Sequence, residues 1–314
     1  MLGLSNELKY SGPIFDAHTH IIDTDVLQTL VKIGTKYGVR RSLLICHSLG
    51  AREFAEKMYP GRFVLAKYIP STLRFTENVD AIVKEVRTLR EEGYDLAKMQ
   101  SAPMMRGRAK VGPDVLKMDS VELDPFFEAL ADEDIPFLLH LSDPDTYYEK
   151  RYNDRSYFSS KEADLQELEG VVARHPEVKL QLAHFAAQPE TGRLNELAKW
   201  FDTYKNFNVD LGSARWMVRE LGMDTSKSRA FLTKYEDRIL FATDCVAYTP
   251  EIDYYEGRYK SLRLLLESDA QHVALPFADA DTVDSGGTFI NGLALSESTC
   301  KKIYWENAER LYAH

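Results

Sequence analysis

Short runs of apolar residues recur along the chain and alternate with longer stretches in which apolar residues return every three or four positions. A run of roughly four to eight apolar residues predicts a buried strand, and the longer spacing predicts a helix with one face on the core. The stretch 76–93 is typical of the second pattern and ends at Gly93. Eight strands are predicted, over residues 14–20, 42–47, 63–69, 94–99, 135–140, 178–184, 206–211 and 238–244.

Most of the predicted strands are followed by a predicted helix, and this alternation indicates a parallel sheet with right-handed crossovers. Eight such units within 314 residues predict an α/β protein with a closed (β/α)₈ TIM barrel. An open, doubly wound sheet is the alternative, which the local pattern does not exclude. No linker or low-complexity stretch divides the chain, so we expect a single domain over residues 1–314.

An extended segment, residues 246–290, follows the eighth predicted strand. It contains a predicted helix over residues 258–266 and an acidic, glycine-containing loop. Long connections of this kind often serve function. Its mixed composition does not decide whether it acts as a lid over a site, an arm in a dimer, or both.

Composition narrows the classes of partner. The chain is 44% hydrophobic and 28% charged, as in globular proteins, and its net charge of −10 argues against nucleic acid or an anionic membrane as the main partner. No apolar run approaches the roughly 20 residues of a membrane-spanning helix, and the first residues do not read as a signal peptide. The 3 cysteines have no paired spacing, so we expect reduced thiols and a cytoplasmic protein.

Candidate chemistry begins in the first predicted strand, with His18 and His20. Residues two apart in a strand point to the same side, so both imidazoles can reach one ion. Divalent ions such as Zn²⁺ bind neutral imidazole well. A His-x-His pair alone is weak evidence, because two hydrogen-bonded or solvated histidines would give the same pattern.

Polar residues also end three other predicted strands. His140 ends the fifth strand, His184 ends the sixth and Asp244 ends the eighth. In a TIM barrel the carboxyl ends of the strands meet at one mouth, where catalytic residues lie. Taken singly, each histidine could be a hydrogen-bonded residue at the edge of the core, and Asp244 could cap a helix. Together with the His-x-His pair they predict a metal site.

The sequences FDAHTHI, FLLHLSD, LQLAHFA and ILFATDC resemble the strand-end motifs of the amidohydrolase superfamily. The tail GLALSES…KIYWENAERLY resembles the closing helix of its amidohydrolase-related branch, which includes metal-dependent hydrolases, lactonases and aromatic-acid decarboxylases. The resemblance implies one divalent metal ion, Zn²⁺ or else Mn²⁺. It implies that the metal is bound by His18, His20, His140 and Asp244. It also implies that His184 acts as a general acid/base or polarises the substrate carbonyl.

Two reactions fit these residues. We expect a metal-dependent hydrolase, in which Asp244 accepts the proton of a metal-activated water and His184 acts on the tetrahedral product of an amide, ester or lactone. The alternative is a decarboxylase that releases CO₂ from an aromatic or unsaturated acid. A binding protein that has kept the barrel and lost catalysis is disfavoured, because the five-residue set is intact.

Three residues are predicted to contact a small, anionic substrate. Arg215 lies four residues beyond the seventh predicted strand, and His47 ends the second. Lys98, in the fourth, is predicted to touch the substrate or to pair with a nearby acid. In binuclear members of the superfamily a lysine on this strand is carboxylated and bridges two metals, which stays an alternative. We also expect a homo-oligomer, in the form of a dimer.

Overall fold

The computed structural model describes residues 8–313. The prediction that the chain starts without a signal peptide concerns residues 1–12, of which 1–7 lie outside the described range, so it stays a prediction. None of the helices in the described part of the chain is long and apolar enough to cross a membrane.

The core of the molecule is one sheet, which has nine parallel strands in the described part of the chain. Each predicted strand has an observed counterpart, and the ninth strand begins directly after the eighth predicted strand ends. The strands are β1 (Ile14–Ile21), β2 (Val39–Cys46), β3 (Phe63–Ile69), β4 (Leu96–Gln100), β5 (Phe137–His140), β6 (Leu180–Leu182), β7 (Phe207–Asp210), β8 (Ile239–Leu240) and β9 (Cys245–Ala247).

The sheet closes into a barrel because its strands follow the order β8-β7-β6-β5-β4-β3-β2-β1-β9, whose two ends meet. β8 pairs with β7, whereas β9 pairs with β1. Between β8 and β9, the Ala17 amide donates to the Phe241 carbonyl at 2.8 Å, and the Asp244 amide donates to the His18 carbonyl at 2.9 Å. The TIM barrel is therefore confirmed, and the open sheet is excluded.

Helices surround the barrel. They are α1 (Leu27–Lys36), α2 (Leu49–Met58), α3 (Thr72–Phe75), α4 (Val79–Arg87), α5 (Pro103–Ala109), α6 (Asp124–Asp132), α7 (Asp145–Lys150), α8 (Lys161–Arg174), α9 (Ala183–Ala186), α10 (Leu194–Thr203), α11 (Ala214–Leu221), α12 (Thr225–Lys234), α13 (Ile252–Glu267), α14 (Glu297–Lys301) and α15 (Asn307–Leu311). A π-helical turn, Lys302–Glu306, joins the last two. The short α9 differs from the other helices, because His184, Phe185 and Ala186 have left-handed backbone and form a turn.

Alternating strand residues divide the apolar core into two layers. Phe15, Ala17, Leu43 and Ile45 belong to an inner cluster, whereas their apolar neighbours Ile14, Leu44 and Cys46 belong to the cluster shared with the surrounding helices. The last helix contributes Leu311 and other residues to the inner cluster. This filling leaves the opposite, carboxyl end of the strands for polar side chains.

The segment after β9 contains α13 and a small antiparallel pair, β10 (Val273–Ala274) with β11 (Phe289–Ile290). The predicted helix at 258–266 is therefore confirmed, and it extends further at its amino end. Residues of this segment pack beside the barrel mouth, as described below.

Candidate metal centre and active site

Three potential ligand atoms converge at the carboxyl end of the barrel. His18 Nε2 lies 3.2 Å from His20 Nε2, and Asp244 Oδ1 lies 3.6 Å from the first and 3.3 Å from the second. Ligand atoms that share one ion at about 2.1 Å stand about 3.0–3.4 Å apart in tetrahedral or octahedral sites. Two of the three separations lie within this range and the third exceeds it by about 0.2 Å, so the donor set fits a divalent metal ion after a small shift of Asp244.

The hydrogen bonds of both imidazoles favour the tautomer that a metal requires. His18 Nδ1 lies 3.0 Å from Asp210 Oδ2, and His20 Nδ1 lies 3.1 Å from His47 Nε2. If each Nδ1 carries the proton and donates it, each Nε2 presents a lone pair to the centre. Burial, with the nearby His18, lowers the pKa of His20 to about 4, which also favours its neutral form.

Asp244 ends the eighth predicted strand and lies directly before β9, with a left-handed φ of 55°. The buried Asp16 fixes the backbone beside it, because Asp16 accepts hydrogen bonds from the Thr243 amide at 2.9 Å and the Thr243 hydroxyl at 2.6 Å. Burial alone would raise the pKa of Asp244, but the hydrogen bond to His20 and the neighbouring imidazoles hold it well below its usual range. The carboxylate is therefore ionised and available as a ligand.

Asp210, at the end of β7, was not predicted as a site residue. Its fully buried carboxylate faces the His18 ring and accepts hydrogen bonds from the Gln181 side chain at 2.7 Å and the backbone amides of His184 and Gly212 at 2.9 Å each. Burial would raise the pKa of Asp210, yet the His18 ring, the His184 ring and the His184 amide hold it well below the usual range. A polar residue inside an otherwise apolar strand, at a carboxyl end, is the signal that could have identified it.

His140 lies at the same mouth but outside the three-donor group. Its Nε2 is 3.0 Å from Asp143 Oδ1, and Asp143 Oδ2 also accepts a hydrogen bond from Tyr152 at 2.5 Å. The structure therefore brings together three of the four predicted ligands, and it pairs the fourth with a buried acid. Asp143 follows β5 by three residues and was also missed, although it lies in the quoted motif FLLHLSD.

His184 lies in a strained turn immediately after β6. Residues 184–187 all have left-handed backbone, with φ between 52° and 61°, a conformation that costs roughly 1–2 kcal/mol for each non-glycine residue. Burial and the neighbouring His140 ring lower the pKa of His184 to about 3, and its Nδ1 has no hydrogen-bond partner among the described residues. Strain of this kind is typical of functional sites.

Lys98 is a buried cation without a hydrogen bond to any described residue. Burial lowers the pKa of its amine to about 8, although Asp210 and Asp244 oppose the shift. An unpaired, buried ammonium group is costly. Its position in the cavity wall therefore favours an anionic partner that is supplied by a ligand.

A cavity of about 300 Å³ opens above these residues. Lys98 and Arg215, both predicted to contact substrate, line it, as do two further cations, Arg151 and Arg258. His47 is exposed and does not line the cavity; its contacts are the His20 ring and the Tyr68 ring, with centroids 5.4 and 4.6 Å away. This position suits a group that holds His20 better than one that binds substrate.

The segment after β9 forms one wall of this cavity, through Tyr254, Arg258 and Phe277 among others. Two acids in the same segment pair with basic residues that follow β5 and β7. Asp279 lies 2.8 Å from Arg219 and 3.7 Å from Arg215, and Asp281 lies 2.6 Å from Arg151. The segment after β9 therefore helps to enclose the site.

Comparison with known proteins agrees with this architecture. The family model described as Amidohydrolase matches residues 73–313, which is more than half of the chain. The chain belongs to the amidohydrolase family. The match begins beyond His18 and His20, so the assignment does not depend on the His-x-His pair. No curated protein sequence matches the chain significantly.

Solved structures of this family share the fold. A 5-carboxyvanillate decarboxylase from Sphingomonas paucimobilis aligns with a TM-score of 0.57 at 11% identity, over 96% of this chain and 99% of its own. A 5-carboxyvanillate decarboxylase from Novosphingobium aromaticivorans was solved with manganese and 4-hydroxy-3-methoxy-5-nitrobenzoic acid. It aligns with a TM-score of 0.56 at 15% identity, over 99% of this chain and 100% of its own. A putative amidohydrolase from Staphylococcus aureus aligns with a TM-score of 0.54 at 15% identity, over 96% of this chain and 100% of its own. At these identities the likeness concerns the fold.

Proposed function

We propose that this protein is a metal-dependent decarboxylase of a small aromatic or unsaturated carboxylic acid. The observation that carries the proposal is that the three candidate metal ligands share a cavity with Lys98, a buried cation with no hydrogen-bond partner among the described residues. A substrate carboxylate would supply the charge that Lys98 lacks. The names of two structural neighbours, both 5-carboxyvanillate decarboxylases, support the same reaction class.

In this proposal His18, His20 and Asp244 hold the metal, and His140 joins them if its ring turns away from Asp143. A bound divalent ion would supply Lewis-acid polarisation of a substrate oxygen. Zn²⁺ and Mn²⁺ both suit ligands of nitrogen and oxygen. The bound ion would also order the His18–His20 pair, because their two Nε2 atoms cannot approach so closely if both carry protons.

The chain's own residues would bind the acid and move the proton. Lys98 and Arg215 would orient the substrate carboxylate. His184, which takes up a proton more readily once an anion lies beside it, would deliver that proton to the carbon that bears the carboxylate. A C–H bond forms there, the C–C bond to the carboxylate breaks, and its electron pair returns to the unsaturated system as CO₂ leaves.

Hydrolysis of an amide, ester or lactone is the second candidate, and one feature of the site favours it. Asp244 combines a place among the ligand donors with a partly exposed carboxylate, so that it could accept a proton from water. The two reactions use the same residues. The dimer and the cytoplasmic location stay predictions, and a carboxylated Lys98 stays an alternative.

The test measures metal content and reaction class together. Purified protein is loaded with Zn²⁺ or Mn²⁺, and metal per chain is measured for wild type and for the His18→Ala/His20→Ala variant. One panel of hydroxybenzoic and ene-carboxylic acids is assayed for CO₂, and a second panel of lactones, esters and amides is assayed for hydrolysis. We expect about one metal per chain, lost in the variant, and CO₂ from an acid.

Other outcomes would redirect the assignment. Turnover confined to the second panel would favour the hydrolase. About two metals per chain would support a carboxylated Lys98 as a bridge. No bound metal under either condition would contradict the metal-dependent mechanism altogether.

A further inference from the structure

Arg258 is a cation in the cavity wall with no acidic partner among the described residues. Its Nη1 donates to the Tyr254 carbonyl at 2.8 Å. Arg151 and Arg215, which also line the cavity, lie 2.6 Å from an Asp281 oxygen and 3.7 Å from an Asp279 oxygen, respectively. Of these three arginines, Arg258 therefore keeps its charge available for a ligand.

Aromatic rings hold the Arg258 guanidinium in place. Its central carbon lies 3.7 Å from the centroid of the Tyr254 ring and 5.0 Å from that of the Phe277 ring. The Tyr254 hydroxyl is itself fixed by the Val246 amide, at 3.1 Å. Stacking on aromatic faces leaves the edge of the guanidinium, with its planar set of donors, free to bind a carboxylate in a bidentate manner.

The helix that carries Arg258 is also fixed against this wall. α13 is 16 residues long, and a Cβ atom on Gly257 would come within 2.8 Å of the Phe277 ring. Such close packing places the guanidinium on a rigid element rather than on a free loop. The cavity thus receives ligand atoms from the barrel strands and a preoriented cation from the segment outside the barrel.

We propose that Arg258 binds a second carboxylate of the substrate, apart from the carboxylate that reacts. The substrate class is then a dicarboxylic aromatic or unsaturated acid, an inference that rests on the proposed decarboxylase function. One unpaired guanidinium matches one negative charge.

The test measures binding, so it does not require turnover. Isothermal titration with Mn²⁺-loaded protein compares benzoate, isophthalate, terephthalate and 3-phosphonobenzoate. For wild type we expect one of the two diacids to bind about tenfold more tightly than benzoate, the effect of one hydrogen-bonded charge pair. R258Q should remove this preference and leave benzoate binding unchanged, and R258K should keep part of it. R87Q, which alters an exposed arginine on α4, is the control.

Each outcome decides the proposal. Equal binding of benzoate and both diacids by wild type would overturn it, as would an equal loss for all ligands in R258Q. Preference for 3-phosphonobenzoate over the diacids would overturn the carboxylate assignment. If R258Q does not fold, a diacid preference in R258K as large as in wild type would contradict the bidentate role. Diacid preference without CO₂ release from any acid would leave this inference standing while the proposed reaction fails.

Discussion

Asp210 accepts hydrogen bonds from two histidines on either side of the candidate metal centre, from the ring of His18 and the backbone amide of His184. One buried carboxylate thereby sets the tautomer of a proposed ligand and fixes the strained turn that carries a proposed acid/base. Carboxylates behind metal-binding histidines act in this way in many metal sites. Asp210 is therefore a positioning residue.

Asp210→Asn should weaken metal binding by about 10- to 100-fold, because an amide nitrogen facing His18 Nδ1 would drive the ring proton to Nε2. Competition against a chelating dye measures the affinity directly. The matched control is Asp202→Asn, on the exposed face of α10, where the acid pairs with Lys234. Unchanged metal affinity in Asp210→Asn, with the fold intact by circular dichroism, would refute this role.

Gly212 occupies a position that admits no side chain. A Cβ atom there would lie 2.8 Å from Asp210 Oδ1 and 2.9 Å from His184 Nδ1. Gly212→Ala should displace these groups, so that metal affinity and CO₂ release fall by about tenfold or more, as for other small misplacements in active sites. Gly192→Ala is the control, because its Cβ would meet nothing within 4 Å. Equal metal affinity and equal CO₂ release in the two variants would show that the site tolerates a side chain at position 212.

The residues that sequence reasoning found and missed differ in a physical way. His18, His140, His184 and Asp244 end apolar runs, and the geometry of a parallel barrel brings such ends together whatever the loops do. Asp143 and Asp210 act through hydrogen bonds to those histidines, and that pairing depends on side-chain directions that no periodicity encodes. Arg258 lies in a segment whose path is set by tertiary contacts.

Among the elements, the segment after β9 is held to the barrel by buried charges. Arg219 lies 2.8 Å from Asp279 and 3.4 Å from Asp281, and its Nη2 donates to Thr146 at 2.8 Å. Breaking a buried pair by removing one partner typically costs about 3–5 kcal/mol, because the other charge is left uncompensated. Loss of Arg219 should therefore destabilise the cavity wall, since Asp279 and Asp281 belong to the segment that forms this wall.

Arg219→Gln should therefore loosen this wall and weaken the binding of acids more than it weakens metal binding. Limited proteolysis should show faster cleavage within residues 275–288, and titration with isophthalate should show lower affinity. Lys234→Gln, which breaks an exposed ion pair with Asp202, should change neither result. Cleavage at the wild-type rate in Arg219→Gln would mean that other contacts hold the segment.

At the scale of the whole molecule, the proposed metal lies across the seam that closes the barrel. His18 and His20 belong to β1, and Asp244 directly precedes β9, the three-residue strand that pairs with β1. The seam is short, so few backbone hydrogen bonds hold it. An ion bound to both sides would act as a cross-link, and its binding energy would add to the stability of the closed barrel.

Removal of the metal should thus lower the stability of the whole protein, and the seam should open before the rest of the barrel. With free metal at 100 times its Kd, binding contributes about 2.7 kcal/mol, so a chelator should lower Tm by several degrees. Hydrogen exchange should rise first in the amides of β9 and of residues 18–21, before it rises in β3 and β4 on another side of the barrel. The His18→Ala/His20→Ala variant should show no further fall in Tm with chelator, since it has no metal to lose. If the chelator lowered the Tm of that variant as much as that of wild type, the stabilising ion would lie elsewhere. A uniform rise in hydrogen exchange across all strands would show that the ion does not act through the seam.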